Sequence, residues 1–374
     1  MGKTQINKNL FKITPLIARV VEGKTLNAKQ SQKAFETIFK YDTQGYYMLA
    51  IISAMHARQE TAEELAGLVN ANLNLAHKLK LPNMHKSRIL NNLTDLSGSG
   101  GGSVKTFNVS TTASFIVASA GLYALKNAYW AVTGLTGSAD IFDAFGIKVE
   151  SLNAKTITEM LLAVHISPIY FPLISPKLQN RAKVLKIIFN EQGIKIKTPF
   201  HIVSNIISAL PVKKRIYGIY SYKYLDTLGQ LFMQLGFKHT LTFYGEPGIP
   251  EISNVGKTYI VEQRGKNLEK YILVPKELGM KQYETADIRT FSKQENIITF
   301  LRVLLNKEHG AKADLAFINA GASLYVTGHA KSIKQGVLKA KELIVSGEAF
   351  NVLHNLVAKF GDLNKLDMWI ERAG

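Results

Sequence analysis

The amino-terminal part of the chain, up to about residue 92, has apolar residues spaced three and four positions apart. This spacing places the apolar side chains on one face of an α-helix. It predicts helices over 16–21, 28–39, 45–56 and 62–74. Thr61 precedes Glu63 and Glu64, as at the start of a helix whose first turn favours negative charge. The pattern therefore predicts a small, all-helical amino-terminal domain over 1–92.

Beyond this region, short apolar runs typical of strands alternate with helical patterns. Strands are predicted over 215–220 and 239–244, with a helix over 222–235 between them and a turn at Gly236. Two antiparallel strands are predicted within 255–274. Further helices are predicted over 113–125, 139–145, 154–164, 178–189, 293–305, 314–326 and, broken at Gly347, 333–360. The alternation is typical of an α/β fold. We therefore expect a larger α/β domain over 93–374, with a mainly parallel central sheet flanked by helices.

A polar, glycine-rich stretch, DLSGSGGGSVKTFNVST at 95–111, precedes the predicted helix over 113–125. Glycine at this density costs backbone entropy and is typical of a backbone that approaches a ligand closely. The glycines are Gly98, Gly100, Gly101 and Gly102, and the polar side chains that follow are Thr106, Asn108, Ser110 and Thr111. A glycine loop that leads into a helix is an anion site, because unpaired N–H groups and the helix dipole point at it. The alternative is a flexible linker.

The composition is that of a globular protein, with 46% hydrophobic and 20% charged residues in a chain of 374. The longest apolar run is too short to span a bilayer, so we expect no membrane partner. The amino-terminal sequence MGKTQINKNLFKI has no apolar signal segment. Cysteine is absent, which excludes disulfides and thiolate chemistry. These features predict a cytoplasmic protein.

The charge is strongly positive, at +18 from 46 basic and 28 acidic residues. Such an excess favours anionic ligands. The stretch 177–223 has one acidic residue, Glu191, and ten basic ones: Lys177, Arg181, Lys183, Lys186, Lys195, Lys197, Lys213, Lys214, Arg215 and Lys223. This stretch is either ordinary solvated surface or the electrostatic footprint of a polyanion such as nucleic acid.

Several other kinds of site are excluded by their missing motifs. The glycine loop lacks the Gly-Lys-Ser/Thr ending of a Walker loop, and the chain has no nucleophile elbow. None of the nine histidines has the spacing of a metal site.

Four segments resemble the anthranilate phosphoribosyltransferase family. GSGGGSVKTFNVST at 98–111 is similar to the family's phosphoribosyl-diphosphate loop, GTGGDG followed by T-x-N-x-S-T. KNAYWAVTGLTGSADIFDAFG at 126–146 resembles its KHGNR and GSAD motif. GEPGIPEIS at 245–253 resembles its magnesium loop, G-x-x-G-x-DE-x-S, and FINAGASLYV at 317–326 resembles its N-A-x-x-x-L-Y helix. The resemblance covers essentially the whole chain.

The resemblance implies transfer of phosphoribosyl from phosphoribosyl diphosphate to an aromatic amine or nucleobase-like acceptor, with release of pyrophosphate. It implies substrate positioning without an assigned acid–base group, and Mg²⁺ held by Ser110 and Glu251. The substrate-binding residues that it implies are Gly98, Gly100, Gly101, Gly102, Thr106, Asn108, Val109, Ser110, Thr111, Lys126, Gly134 and Ser138. It also implies that a helical segment near 151–192 joins the amino-terminal domain, and that this domain packs against a partner in a homodimer.

The chain departs from the family at the metal and at the acceptor. Gly102 and Pro250 stand where the family has aspartates, which predicts a weakened magnesium site. Tyr129, Trp130 and Phe189 replace polar residues, including an arginine that holds the carboxylate of anthranilate. The acceptor pocket should be apolar and should bind a carboxylate poorly. The alternative function is a catalytically diverged member that binds nucleic acid or another polyanion.

Overall fold

The computed structural model describes residues 7–131, 136–175, 193 and 197–374. The chain divides into two compact units, which we call the helical unit (Met1–Lys78 and Pro172–Ala209) and the α/β unit (Leu79–Phe171 and Leu210–Gly374). The first boundary between these units lies at residue 78, so the helix Asn83–Asn91, which leads directly into the first strand of the sheet, belongs to the α/β unit. Residues 172–209 rejoin the helical unit.

The helical unit is built from amphipathic helices, and the four predicted ones are confirmed. Its helices are Lys8–Phe11, Thr14–Val21, Ala28–Tyr41, Tyr46–Ala57, Ala62–Leu75 and Pro199–Val203. Thr61 and Glu64 form a reciprocal capping box, in which each side chain accepts from the other residue's backbone N–H. The rings of Phe35, Phe39 and Phe200 pack with centroids 5.9–6.5 Å apart. This cluster joins the amino-terminal helices to the returning segment in one core.

The α/β unit contains a seven-stranded sheet, and the predicted fold class is confirmed. Its strands are β1 (Leu93–Asp95), β2 (Tyr123–Ala128), β3 (Ile166–Tyr170), β4 (Lys214–Gly218), β5 (His239–Gly245), β6 (Thr258–Arg264) and β7 (Asn267–Leu273). Their order is β3-β2-β1-β4-β5-β6-β7. Strands β1 to β5 are parallel, and β6 and β7 are antiparallel. The strand order reverses direction at β1, so a crevice is expected at its carboxyl end.

Helices surround the sheet, and some elements differ from the sequence-based expectation. Among the described residues the helices are Asn83–Asn91, Val109–Ser119, Ser138–Ala144, Ala154–Val164, Leu225–Gln234, Lys293–Leu304, Ala311–Thr327, Ile333–Val345, Glu348–Phe360 and Leu363–Ala373. The short helix Phe171–Ile174 lies where the chain passes from the α/β unit back to the helical unit. The predicted helix over 113–125 was wrong in its second half, since Gly121 turns the chain with a φ of 88° and β2 follows. Strand β3 was not predicted. The predicted helix over 178–189 lies outside the described residues.

None of the helices in the described ranges combines the length and the apolarity that a membrane crossing requires.

Candidate functional site

The glycine loop leaves the carboxyl end of β1, at the point where the strand order reverses. Its first half is bound to β4, because Ser99 N donates to Gly218 O at 2.8 Å. Its second half is bound to the loop after β5, because Ser103 N donates to Gly248 O and Ser103 Oγ to Pro247 O, both at 2.8 Å. The stretch is therefore a loop that hydrogen bonds hold over the carboxyl end of the sheet, and not a flexible linker.

Glycine is needed in this loop for two separate reasons. Gly100 and Gly101 have φ values of 64° and 72°, in the left-handed region that side chains disfavour. Gly98 and Gly102 lie too close to their neighbours for a side chain: a Cβ would lie 2.7 Å from Gly218 O in the first case and 2.7 Å from Pro250 Cδ in the second. The backbone is thus exposed to a ligand without intervening side chains.

The helix Val109–Ser119 begins directly after this loop, and its first turn is not capped by a side chain. Asn108, at the capping position, instead donates through Nδ2 to Gly137 O at 3.4 Å. Val109 is buried, and its N–H donates to Phe107 O at 2.7 Å. Thr111 Oγ1 is also buried, and it has no hydrogen-bond partner among the described residues. Because the N–H group of Thr111 also donates, to Asn108 O at 3.1 Å, this turn offers an anion the Ser110 N–H group and the Thr111 hydroxyl.

Lys126, on β2, lies beneath the start of the loop with 4% of its surface exposed. Its Nζ donates to Ser97 Oγ at 3.1 Å and to Asn127 O at 3.4 Å. Burial lowers the pKa of Lys126 to about 8, against the opposing effect of the Asp95 carboxylate. The ammonium therefore carries most of a positive charge at pH 7, directly before the first loop glycine.

Glu251, in the loop after β5, has a buried carboxylate oxygen, Oε2, without a hydrogen-bond partner in the part of the chain that the structure describes. Burial raises the pKa of Glu251 to about 8, although a hydrogen bond with Thr106 acts in the opposite direction. Asn319 holds the next residue, since its Oδ1 accepts from Ile252 N at 3.0 Å and its Nδ2 donates to Ile252 O at 3.2 Å. The family-like helix motif at 317–326 thus positions Glu251, a role that the sequence did not reveal.

The protein supplies only some of the ligands that a magnesium ion would need at this place. The unpartnered oxygen of Glu251 is what a cation would take up, but Pro250 supplies no second carboxylate. Among the described residues, no three histidine, aspartate or glutamate side chains converge. Since Mg²⁺ prefers six oxygen ligands, most of them would have to come from the bound diphosphate, from water and from hydroxyls such as Ser110.

The GSAD turn supports the end of β2 next to Lys126. Ser138 Oγ donates to Asn127 O at 2.8 Å and accepts from Tyr129 N at 3.3 Å. Asp140 accepts from Gly137 N at 2.8 Å and pairs with Lys293 at 2.5 Å. The hydroxyl of Ser138 is therefore occupied in holding the strand end.

The predicted acceptor residues are described only in part. Tyr129 and Trp130 follow β2 directly and are half-buried, and Trp130 Nε1 donates to Glu150 Oε1 at 2.7 Å. Gly134 and Phe189 lie outside the described residues.

The basic stretch is not the uniform solvated surface that its composition suggested. Lys177, Arg181, Lys183, Lys186 and Lys195 lie outside the described residues. Lys213 and Lys223 are exposed, whereas Lys214 is half-buried and donates to Thr327 O at 3.0 Å. Arg215 is fully buried, because β4 lies inside the sheet. The expectation of a solvated residue was wrong for Arg215.

Comparisons with known proteins agree with this architecture. Residues 90–350 match the family model described as glycosyl transferase family, a/b domain, and residues 14–76 match the helical bundle domain of the same family. The anthranilate phosphoribosyltransferase of Methanococcoides burtonii is 29% identical, over 94% of this chain and 95% of that protein. The enzyme of Desulfotalea psychrophila is 28% identical, over 94% and 98%.

Two solved structures show the same fold. Anthranilate phosphoribosyltransferase from Thermus thermophilus has a TM-score of 0.80 at 24% identity, over 91% of this chain and 98% of that one. The Saccharomyces cerevisiae enzyme, in complex with PRPP and Mg, has a TM-score of 0.79 at 22% identity, over 93% and 97%.

Proposed function

The chain belongs to the glycosyl transferase family, with both its helical bundle and its a/b domain, and on this basis we propose that it is a phosphoribosyltransferase. It transfers phosphoribosyl from phosphoribosyl diphosphate to a small aromatic amine or nucleobase-like acceptor and releases pyrophosphate. The observation that carries the proposal is the glycine loop, anchored over the sheet edge with its backbone exposed and an ammonium beneath it. Full-length likeness to anthranilate phosphoribosyltransferases supports it.

The site acts by binding and orienting charge rather than by moving protons. As pyrophosphate leaves the anomeric carbon, positive charge develops on the ribose and negative charge on the diphosphate. Loop N–H groups, the uncapped helix turn and Lys126 hold that negative charge in place, so little reorganisation is needed during the reaction. The substrate residues are those inferred from the sequence, and Ser138 contributes by holding the end of β2. No residue is assigned as a general acid or base.

A magnesium ion would be held by Ser110 and Glu251, with its remaining ligands from the diphosphate and water. When bound, it would help to neutralise the leaving pyrophosphate. Because Pro250 stands where the family has an aspartate beside Glu251, the protein's own share in holding the ion is small, and the site is weaker than one with both carboxylates.

The acceptor is a small aromatic molecule that binds beside Tyr129 and Trp130 of the α/β unit, and the resemblance adds Phe189 to this set. These side chains offer ring faces but no cation for a carboxylate, and a carboxylate that is buried without a cationic partner is costly. We therefore expect anthranilate to be a poorer substrate than an uncharged aromatic amine. Pyrophosphate release from phosphoribosyl diphosphate, followed over a panel of both kinds of acceptor, tests the reaction and the preference together.

The binding site itself is tested by calorimetric titration with phosphoribosyl diphosphate. Gly101→Ala strains the left-handed loop and Ser110→Ala removes a hydroxyl, and each should weaken binding by at least about 1 kcal/mol, as for a lost hydrogen bond to a charged group. Ser119→Ala is the matched control, because its hydroxyl donates to Ile116 O at the other end of the same helix. Unchanged affinity in both loop variants would refute the site.

A homodimer formed through the helical unit is part of the proposal. Large apolar side chains of three of its helices are exposed: Phe11 at 67%, Val21 at 62%, Tyr46 at 71% and Leu49 at 40%. Exposed apolar residues of this size in neighbouring helices are typical of a subunit interface.

Polyanion binding is a second candidate function, which the likeness to anthranilate phosphoribosyltransferases does not favour; it rests on the charge of +18 and on the exposure of Lys213 and Lys223. Affinity for a single-stranded oligonucleotide should then fall with salt, with a log–log slope of roughly 0.7 for each phosphate neutralised. Lys213→Gln with Lys223→Gln should flatten the slope. Binding that does not depend on salt, or no binding, would dispose of this candidate.

A further inference from the structure

Three ionisable side chains are buried beneath the glycine loop: Asp95, Lys126 and Arg215, at 1%, 4% and 0% exposure. All three converge on Ser97, the residue before the first loop glycine. Asp95 Oδ1 accepts from Ser97 N at 2.7 Å, Lys126 Nζ donates to Ser97 Oγ at 3.1 Å, and Arg215 Nη2 donates to Ser97 O at 2.7 Å. Arg215 Nη2 also lies 3.4 Å from Asp95 Oδ2. The start of the loop is therefore held from three sides by charged groups.

The charges of this cluster do not cancel. Two cations face one carboxylate, which leaves a net charge of +1 when Lys126 is protonated. An excess charge in the protein interior is costly unless another group compensates for it. A bound anion in the loop would supply the missing negative charge, and the low dielectric of the interior would make that attraction strong.

We propose that Arg215 is a positioning residue of this site, which holds Ser97 at the start of the glycine loop and, with Lys126, leaves a net positive charge that attracts the diphosphate of the substrate. The inference rests on the proposed function. It goes beyond the sequence motifs, because Arg215 lies outside all of them and was expected at the surface.

The test uses four proteins whose buried net charge differs by design. It is +1 in the wild type, 0 in Arg215→Gln, +2 in Asp95→Asn, and +1 again in the double variant. Each is titrated with phosphoribosyl diphosphate at pH 7 in EDTA, so that no metal ion contributes. Arg215→Gln should weaken binding about tenfold, the effect of one charge roughly 10 Å away at an effective dielectric constant of 20. Asp95→Asn should strengthen it, and the double variant should return close to the wild type.

Lys214→Gln is the matched control, since it removes a positive charge from the residue of β4 that directly precedes Arg215. The side chain of Lys214 donates to Thr327 O and not to Ser97. The affinity of the Lys214→Gln variant for phosphoribosyl diphosphate should differ from that of the wild type by less than threefold. If Arg215→Gln fails to fold, as loss of a buried partner sometimes causes, Asp95→Asn and the double variant still differ by the charge of Arg215 alone.

Two results would overturn the inference, and they are distinguishable. If Arg215→Gln and Asp95→Asn both weaken binding and the double variant is no better, the cluster acts only through structure. If the wild type does not bind phosphoribosyl diphosphate at all, with or without Mg²⁺, the proposed function fails, and the inference fails with it.

Discussion

At the scale of single residues, burial decides what the charged groups of the loop site can do. Lys126 is the clearest case, because burial lowers its pKa from the ordinary 10.5 to about 8. Its charge is thus present below pH 8 and is lost as the pH rises through that value in the folded protein. An exposed lysine would keep its charge throughout this range.

We therefore expect the affinity for phosphoribosyl diphosphate to fall between pH 7 and 9.5, with a midpoint near 8. Calorimetric titrations in EDTA at steps of half a pH unit measure this fall. Lys126→Met should bind more weakly at pH 7 and should show a smaller fall, because only the ionisation of Glu251 then weakens anion binding over this range. A wild-type affinity that is constant up to pH 9.5 would mean that the Lys126 ammonium makes no contribution.

The loop residues of the site could be predicted from sequence, whereas their supports could not. Gly98 to Thr111 form one continuous stretch, and its glycines and hydroxyls already indicate an anion site. Arg215 and Asn319 act on residues more than 60 positions away, through contacts with Ser97 and Ile252. Neither contact leaves a local pattern, and an arginine within a basic stretch is ordinarily interpreted as surface.

At the scale of secondary structure elements, one carboxylate joins the three strands at the β7 edge of the sheet to a helix. Glu262, on β6, accepts from His239 on β5 at 2.8 Å, from Tyr271 on β7 at 2.9 Å, and from Tyr325 on the helix Ala311–Thr327 at 3.0 Å. Arg264 adds an ion pair at 2.6 Å. Burial alone would raise the pKa of Glu262, but the hydrogen bonds from His239, Arg264 and Tyr271 lower it to about 2.

This network should stabilise the fold above pH 4.5, and its contribution should be lost as the pH falls toward 2. A carboxylate with a lowered pKa binds its proton less readily in the folded state, so acid favours unfolding. Glu262→Gln should lower the free energy of unfolding at pH 7 by about 2 kcal/mol, as for hydrogen bonds to a charged group. Urea titrations at pH 7 and pH 3 measure the difference between the two proteins, which should shrink at the lower pH. An equal difference in the free energy of unfolding at pH 7 and at pH 3 would contradict a lowered pKa for Glu262.

Helices were easier to predict than the buried strands. Ala28–Tyr41 in the helical unit and Ala154–Val164 in the α/β unit each show one apolar face, which the sequence displays directly. Every residue of β2 is buried, so its sequence lacks the alternation that marks a strand with one exposed face. Such a run is indistinguishable by periodicity from the end of a buried helix, which is why it was joined to 113–119.

At the scale of the whole molecule, the exposed apolar side chains of the helical unit bear on the oligomeric state. If they form the interface of a homodimer, Leu49→Glu should give a monomer, because a carboxylate placed in such an interface loses its water without gaining a partner. Sedimentation equilibrium over a hundredfold concentration range distinguishes the two states. Leu338→Glu is the control, since Leu338 is 54% exposed in the α/β unit. A wild-type chain that is monomeric throughout would refute the dimer.

The contact between Gly102 and Pro250 links two departures that look independent in the sequence. A Cβ at residue 102 would lie 2.7 Å from Pro250 Cδ, so an aspartate at 102 would collide with the proline ring. Restoring the family's loop aspartate alone should therefore destabilise the protein, and restoring it after Pro250→Asp should destabilise it less, with Gly248 O, 3.0 Å from the same Cβ, still to be displaced. The order of substitutions matters, and an evolutionary return to a two-aspartate metal site is easier when the change at 250 comes first.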